Sequence, residues 1–238
     1  MNYRSITFYK YFQLKDLDEI RQPLRDLMYD FDVKGKIIIS NEGINGAICG
    51  EAPKVYEFVE ECQKFFGLTE LSFRDTLAQK QCFKRTLVKI RDELVPLGIK
   101  GITPNTAGGG KPLPPEELMK WYEKEEDFLI LDTRNDYEAE VGTFKDSIVP
   151  DVHQFRDFKN AIKELEDKKD KKIVMFCTGG IRCEKASALL KKEGFENVYK
   201  LDGGIIEFMK LENSEKYFKG KLFVFDHRWE IDADQTRI

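Results

Sequence analysis

The sequence predicts a two-domain α/β protein, an α+β domain followed by a domain built on a parallel sheet. Three observations carry this reading. Residues 3–91 show strand and helix patterns in the order strand, helix, two strands, helix, strands. A stretch rich in proline and glycine follows, from Pro96 to Pro115. Beyond it, short apolar runs alternate with helix-forming segments, the pattern of parallel strands joined by crossover helices.

In the first domain, Tyr3 to Phe12 is aromatic and β-rich, a strand. Asp16 to Asp30 carries Leu17, Ile20, Leu24, Leu27 and Met28 at helical spacing. Pro23 is its discordant residue, since proline inside a helix breaks or kinks it. Val33 to Ser40 is a strand around Ile37-Ile38-Ile39. Asn41 to Gly46 supplies turn residues, and Ala47 to Cys49 returns as a strand. Pro53 to Phe66 places Val55, Phe58, Val59, Cys62, Phe65 and Phe66 on one helical stripe. Leu71 to Arg74 and Thr86 to Arg91 close the unit as strands. This order, over residues 1–95, is ferredoxin-like.

Residues 96–113 read as a linker, a segment also able to drape over the next domain. The second domain spans residues 114–215. It opens with a helix from Pro114 to about Lys124. Phe128 to Asp132 is a compact strand ending in an acid, Thr133 to Glu138 a loop or helix start, and Ser147 to Pro150 a short strand. Phe155 to Asp167 is a charged amphipathic helix. Ile173 to Phe176 is the central buried strand, and Glu184 to Lys192 are good helix formers ending at Gly194. Val198 to Leu201 is a strand, and Asp202-Gly203-Gly204 turns into a last helix. Residues 216–238 form an extension with one short strand, Leu222 to Asp226. Sites in open parallel sheets lie beyond the carboxyl ends of the strands, so Asp132 and Cys177 are predicted to share one mouth.

The 39 basic and 43 acidic residues give a net charge of −4, so nucleic-acid binding rests on a local basic patch. Lys80, Lys84, Arg85, Lys89 and Arg91 form such a cluster. Alternate strand residues share a face, so Arg85, Lys89 and Arg91 either meet a phosphate backbone together or form an ordinary exposed face. Five cysteines without a small-domain framework indicate a reducing compartment, and the start lacks a signal-peptide core, so a cytoplasmic protein is expected. No apolar run reaches membrane-spanning length. A Cys-x2-Cys pattern is absent and the two histidines are far apart, so no metal site is predicted. Cys49, Cys62 and Cys82 read as small apolar core residues.

The chemistry concentrates in Cys177-Thr178-Gly179-Gly180-Ile181-Arg182-Cys183, between the central strand and its helix. Such a loop can turn successive backbone amides inward and form an anion-binding nest, with the helix N-terminus behind it. A sulfur held there reacts as the thiolate, a nucleophile or persulfide carrier. The competing reading is a buried cysteine in a strand-to-helix turn. Arg182 either stabilises an anion or forms a surface salt bridge. Asp132 accepts hydrogen bonds that fix loop shape, or simply ends its strand. Arg134 either meets substrate phosphate or pairs with Glu138. Cys183 is a buried helix-start cysteine or a resolving thiol for Cys177. Asn41 and Asn45 belong to a hairpin turn, or read an unstacked base by its edges.

The Cys-x4-Arg spacing is one residue shorter than the Cys-x5-Arg of cysteine phosphatases and resembles the rhodanese loop. Asp132-Thr-Arg-Asn-Asp-Tyr-Glu138, the Cys177 loop and Leu201-Asp-Gly-Gly-Ile-Ile-Glu207 resemble the rhodanese signatures. With Ser40-Asn-Glu-Gly-Ile-Asn-Gly46 and Phe223-Val-Phe-Asp226, the chain is similar to the rhodanese-domain tRNA uridine hydroxylases. That resemblance implies a bacterial cytoplasmic enzyme that converts uridine 34 of the tRNA anticodon loop to 5-hydroxyuridine, with molecular oxygen as co-substrate and Cys177 essential. No haem, flavin or non-haem iron motif accompanies it, and no cofactor is evident. The resemblance also implies a cysteine-rich continuation after the last strand, which the residues up to Ile238 do not contain. The loop chemistry alone points to a sulfurtransferase with a small-molecule or protein sulfur donor. A non-catalytic redox-sensing or binding module is the third reading.

Overall fold

The structure, a computed structural model, describes residues 2–237 and divides into two compact units. The first comprises residues up to Leu94 with Phe225–Trp229 and the residues from Gln235; the second comprises Val95–Val224 and Glu230–Asp234.

In the first unit, β1 (Tyr3–Tyr11), α1 (Leu17–Asp30), β2 (Lys34–Ser40), β3 (Gly43–Glu51), α2 (Ala52–Phe65), β4 (Phe73–Ala78) and β5 (Thr86–Ile90) follow one another. Their sheet has the order β4-β1-β3-β2-β5. The first four strands pair antiparallel, and β5 adds to the edge parallel to β2. Ile6, Phe8, Ile37, Ile39, Ile44 and Ile48 bury one sheet face with Leu24 and Met28 of α1 and Val55, Phe58 and Val59 of α2. Pro23 sits inside α1 without ending it.

Two boundaries differ from the expected ones. β3 begins at Gly43, so only Asn41 and Glu42 make the turn, and Asn45 and Gly46 lie in the strand. Gly46 is there for packing: a Cβ at that position would lie 2.3 Å from the Phe8 ring. β4 starts at Phe73, with buried Leu71 in the connection before it.

The second unit opens with the segment expected as a linker, which is instead part of the domain. Val95, Leu97 and Ile102 are buried in its core. A one-turn helix, α3 (Pro104–Ala107), and β6 (Lys111–Leu113) follow, and β6 joins the parallel sheet beside the strand Asn197–Leu201. Next come α4 (Pro115–Glu123), β7 (Leu129–Asp132), α5 (Asp136–Val141), β8 (Gly142–Phe144), α6 (Phe158–Ala161), β9 (Lys172–Phe176), α7 (Ile181–Lys192), β10 (Asn197–Leu201) and α8 (Gly204–Met209). The sheet order is β6-β10-β9-β7, all parallel. Successive residues of β9 face opposite cores. Ile173 and Met175 pack with α7, whereas Val174 and Phe176 pack with α4 and α8, so helices cover both faces.

Residues 147–150 contribute only an isolated bridge, Ile148 to Leu131. The segment expected as one helix, Phe155 to Asp167, instead alternates 3₁₀ and α turns about α6. β11 (Phe218–Gly220) pairs with β8, and β12 (Leu222–Phe223) pairs with β13 (Glu230–Ile231). The expected strand Leu222 to Asp226 therefore ends at Phe223. No described helix is long and apolar enough to cross a membrane.

Candidate active site

Cys177 leaves the carboxyl end of β9, and the chain turns at once into α7. Three neighbouring residues fix the turn. Thr133, just past β7, donates its amide and its hydroxyl to the Phe176 carbonyl at 3.0 and 2.8 Å. Ile205 and Ile206, in the first turn of α8, donate their amides to the carbonyls of Cys177 and Thr178 at 3.0 and 3.2 Å. These carbonyls therefore point at α8, and the loop's amides are left facing the sulfur. The close approach explains Gly204, where φ is +65° and a Cβ would lie 2.4 Å from the Cys177 carbonyl oxygen. A Gly204→Ala chain is expected to lose stability, on the order of 1–3 kcal/mol from the backbone conformation alone. Thermal unfolding reads this as a lower Tm; an unchanged Tm would contradict the packing.

Gly180 adopts φ +100° as the residue before α7, a left-handed conformation that suits glycine. Its amide donates to Cys177 Sγ at 3.1 Å. The amides of Arg182 and Cys183 donate to the same sulfur, as does the Cys183 thiol. Burial alone would raise the Cys177 pKa. The Cys183 thiol, the Arg182 charge and the two amides outweigh it and hold the thiol down to about 6. The anionic form of Cys177, which is 1% exposed, is thus favoured relative to an ordinary cysteine. Cys183 moves the opposite way, well up, through its own burial and the neighbouring Cys177 sulfur. It stays a neutral donor, with Thr133 Oγ1 at 3.5 Å from its sulfur.

Arg182 is neither on the surface nor free. Its guanidinium forms a two-pronged ion pair with Glu138 of α5, at 2.5 and 2.8 Å, and both side chains are almost wholly buried. Burial would raise the Glu138 pKa, but the Arg182 charge beside it holds the carboxyl below its ordinary value. Glu138 also accepts the Asn135 amide at 3.1 Å, closing a capping box at the start of α5. The helix that positions Glu138 is therefore locked by Glu138 itself.

Asp132 ends β7 at the same edge, but its partners are not in the cysteine loop. It accepts from Arg134 Nε at 2.9 Å, Arg134 Nη2 at 2.6 Å and Thr143 Oγ1 at 2.9 Å. Arg134 is the residue whose sequence reading changes most. It is 1% exposed and donates also to the Gly142 carbonyl at 2.7 Å, with its guanidinium over the Phe176 ring. A side chain so enclosed does not meet a substrate phosphate. Its ion-pair partner is Asp132, and Glu138 belongs to Arg182. Of the loop residues, Gly179 and Ile181 are half-buried at the rim, while Thr178 is buried.

In the first unit, Asn41 donates to the Leu14 carbonyl at 2.8 Å and Asn45 to the Leu94 carbonyl at 3.4 Å. Each amide holds a connection of the fold. The register places Lys36, Leu87 and Lys89 on one sheet face, with Arg85 and Arg91 continuing its period of two. Burial lowers the Lys36 pKa, and the charges of Lys89 and Arg91 lower it further, so three cations crowd together. Sequence reasoning missed Lys36, which lies fifty residues away on another strand; only the pairing of β2 with β5 reveals it. No group of three or more His, Cys, Asp or Glu side chains arranged to hold a metal occurs among the described residues.

Residues 3–94 match the UPF0176 acylphosphatase-like domain and residues 114–211 the rhodanese-like domain. Proteins named tRNA uridine(34) hydroxylase from Legionella pneumophila, strains Lens and Paris, are each 40% identical over 98% of this chain and 91% of their own length. Among solved structures, the rhodanese-like domain of an Anabaena protein gives a TM-score of 0.39 at 20% identity, over 46% of this chain and 78% of that one. With that identity carried along almost its whole length, the chain belongs to the tRNA uridine(34) hydroxylase family.

Proposed function

We propose that this protein is a cytoplasmic enzyme that hydroxylates uridine 34 of tRNA at C5, giving 5-hydroxyuridine, with molecular oxygen as co-substrate and Cys177 as the essential side chain. The observation that carries the role of Cys177 is its sulfur: a thiolate cradled by three main-chain amides at the mouth of a parallel sheet. The relatives named for this reaction supply the substrate. The Cys177 sulfur is the reactive group, Arg182 keeps positive charge beside it, and Glu138 keeps Arg182 in place. Asp132 and Arg134 shape the wall from which α5 departs.

The test is genetic and chemical. Deleting the gene should remove 5-hydroxyuridine and its derivatives from position 34 in digested tRNA, read by mass spectrometry, and the wild-type gene should restore them. Unchanged nucleosides in the deletion strain would contradict the proposal.

The basic sheet face fits the phosphate backbone of the same tRNA. An Arg85→Glu/Lys89→Glu/Arg91→Glu chain is expected to bind tRNA more weakly. The slope of log affinity against log salt should fall by roughly 0.7 to 0.9 for each phosphate that is no longer neutralised. An affinity and slope equal to wild type would discard this surface.

One observation also favours a second reading. A buried anionic sulfur ringed by amides suits a persulfide as well as a thiolate. Sulfane sulfur released from the purified protein by cyanide, and absent from a Cys177→Ala chain, would support sulfur transfer.

A further inference from the structure

We propose that Cys49 and Cys82, in the first unit, are a redox-active dithiol that peroxide converts to a disulfide. The two sulfurs lie 3.3 Å apart, although α2 and β4 separate Cys49, in β3, from Cys82 in the chain. A disulfide bond is ~2.05 Å long, so the bond needs about an ångström of approach. The site does not involve Cys177, which belongs to the second unit.

The surroundings distinguish the pair from ordinary apolar cysteines. The Cys82 amide donates to Cys49 Sγ at 3.3 Å, and the Lys80 carbonyl accepts from the Cys82 thiol at 3.5 Å. The segment Phe225–Trp229 packs beside them: the His227 amide donates to the Cys82 carbonyl at 3.1 Å. Arg228 is held there by the Leu77 carbonyl, Thr76 and Asp226. The hydrogen bonds from Cys82 outweigh burial and hold the Cys49 pKa below its ordinary value, while the same contact and burial push Cys82 up; the Arg228 charge lowers both. Cys62, by contrast, has only burial acting on it, which pushes its thiol up to about 12.

Access runs through the loop that carries Cys82. Residues 79–85 connect β4 to β5, and Gln79, Lys80, Lys84 and Arg85 are exposed. Local opening of such a loop costs far less than global unfolding and admits a molecule the size of hydrogen peroxide. The Cys49 thiolate attacks one peroxide oxygen; the S–O bond forms, the O–O bond breaks, and the leaving hydroxide takes a proton to become water. The Cys82 sulfur then attacks the Cys49 sulfur. The S–S bond forms, the S–O bond breaks, and the hydroxide lost takes the Cys82 proton. Two thiols and one hydrogen peroxide give one disulfide and two waters.

The experiment uses the full-length chain, reduced, desalted and treated with hydrogen peroxide. Remaining thiols are trapped with N-ethylmaleimide under denaturing conditions before digestion and mass spectrometry. The expected result is a linked peptide containing Cys49 and Cys82, two hydrogens lighter than its parts, that disappears after dithiothreitol. It should form equally in a Cys177→Ser chain, which lacks the competing thiolate, and be absent from a Cys82→Ser chain. Recovery of Cys49 and Cys82 as maleimide adducts under peroxide that fully oxidises Cys177 would overturn the proposal. So would a link that vanishes in the Cys177→Ser chain, since the bond would then arise by exchange from Cys177.

Discussion

A Cys177→Ala chain is expected to fold like the wild type and to restore no 5-hydroxyuridine to tRNA in a deletion strain. The fold should survive because the substitution removes one buried sulfur at the end of β9 and leaves untouched the main-chain bonds that shape the loop. Those bonds run from Thr133 to Phe176 and from Ile205 and Ile206 to Cys177 and Thr178, and none uses the sulfur. Activity should fall to the level of the empty strain, because nothing else within the amide cradle can carry the charge. A Cys177→Ser chain should fail too, since its hydroxyl stays neutral at physiological pH where the thiol is ionised. Nucleoside mass spectrometry reads both outcomes, and wild-type modification by either chain would remove Cys177 from the reaction.

Breaking the Arg182–Glu138 pair is the change expected to cost the most stability. An Arg182→Met chain leaves the Glu138 carboxylate buried with its main cation gone. Losing one partner of a buried pair costs roughly 3–5 kcal/mol, whereas replacing both by apolar groups of similar size is often neutral. The Arg182→Met/Glu138→Leu chain should therefore recover most of the lost stability in denaturant unfolding. It should not recover the low thiol pKa, because the Arg182 charge that favours the Cys177 anion is absent from both chains. Stability and thiol acidity thus separate in one pair of variants. A double variant as unstable as Arg182→Met alone would show that the orphaned Glu138 charge is not the source of the loss.

The acidity also has a stability consequence. The folded-state value of Cys177 lies below that of a free cysteine, about 8.5. The ionised sulfur therefore stabilises the fold fully above the unfolded value. That contribution is lost as pH falls through about 6.

Much of this arrangement was legible in the residues. Ile173 to Phe176, apolar and bounded by Lys172 and the loop glycines, has the length and composition of a buried strand, and it is one. The order of elements in the first unit gave the antiparallel core of its sheet, and Gly180 sits where a left-handed residue must start the helix. What the residues hid was set by tertiary packing. Gly and Pro between 96 and 115 look like a linker because composition does not show that Val95, Leu97 and Ile102 have a core to enter. Gly43 and Gly46 look like turn residues, yet Gly46 makes room for a ring on the neighbouring strand. Arg134 and Glu138 are close enough in sequence to suggest a pair. Instead, the turn into α5 points Arg134 back at Asp132 and sends Glu138 across to α7. Cys49 and Cys82 each fit an apolar pattern, and only the sheet brings their sulfurs together.

Everything assigned to the Cys177 loop turns on the ionisation of one sulfur. Thiolate absorbance in the ultraviolet, followed against pH as the difference between wild type and Cys177→Ala, measures it without requiring a reagent to reach the buried site. The expected titration has its midpoint near 6. A midpoint near 8.5, roughly that of free cysteine, would contradict the role given to the amide cradle and Arg182.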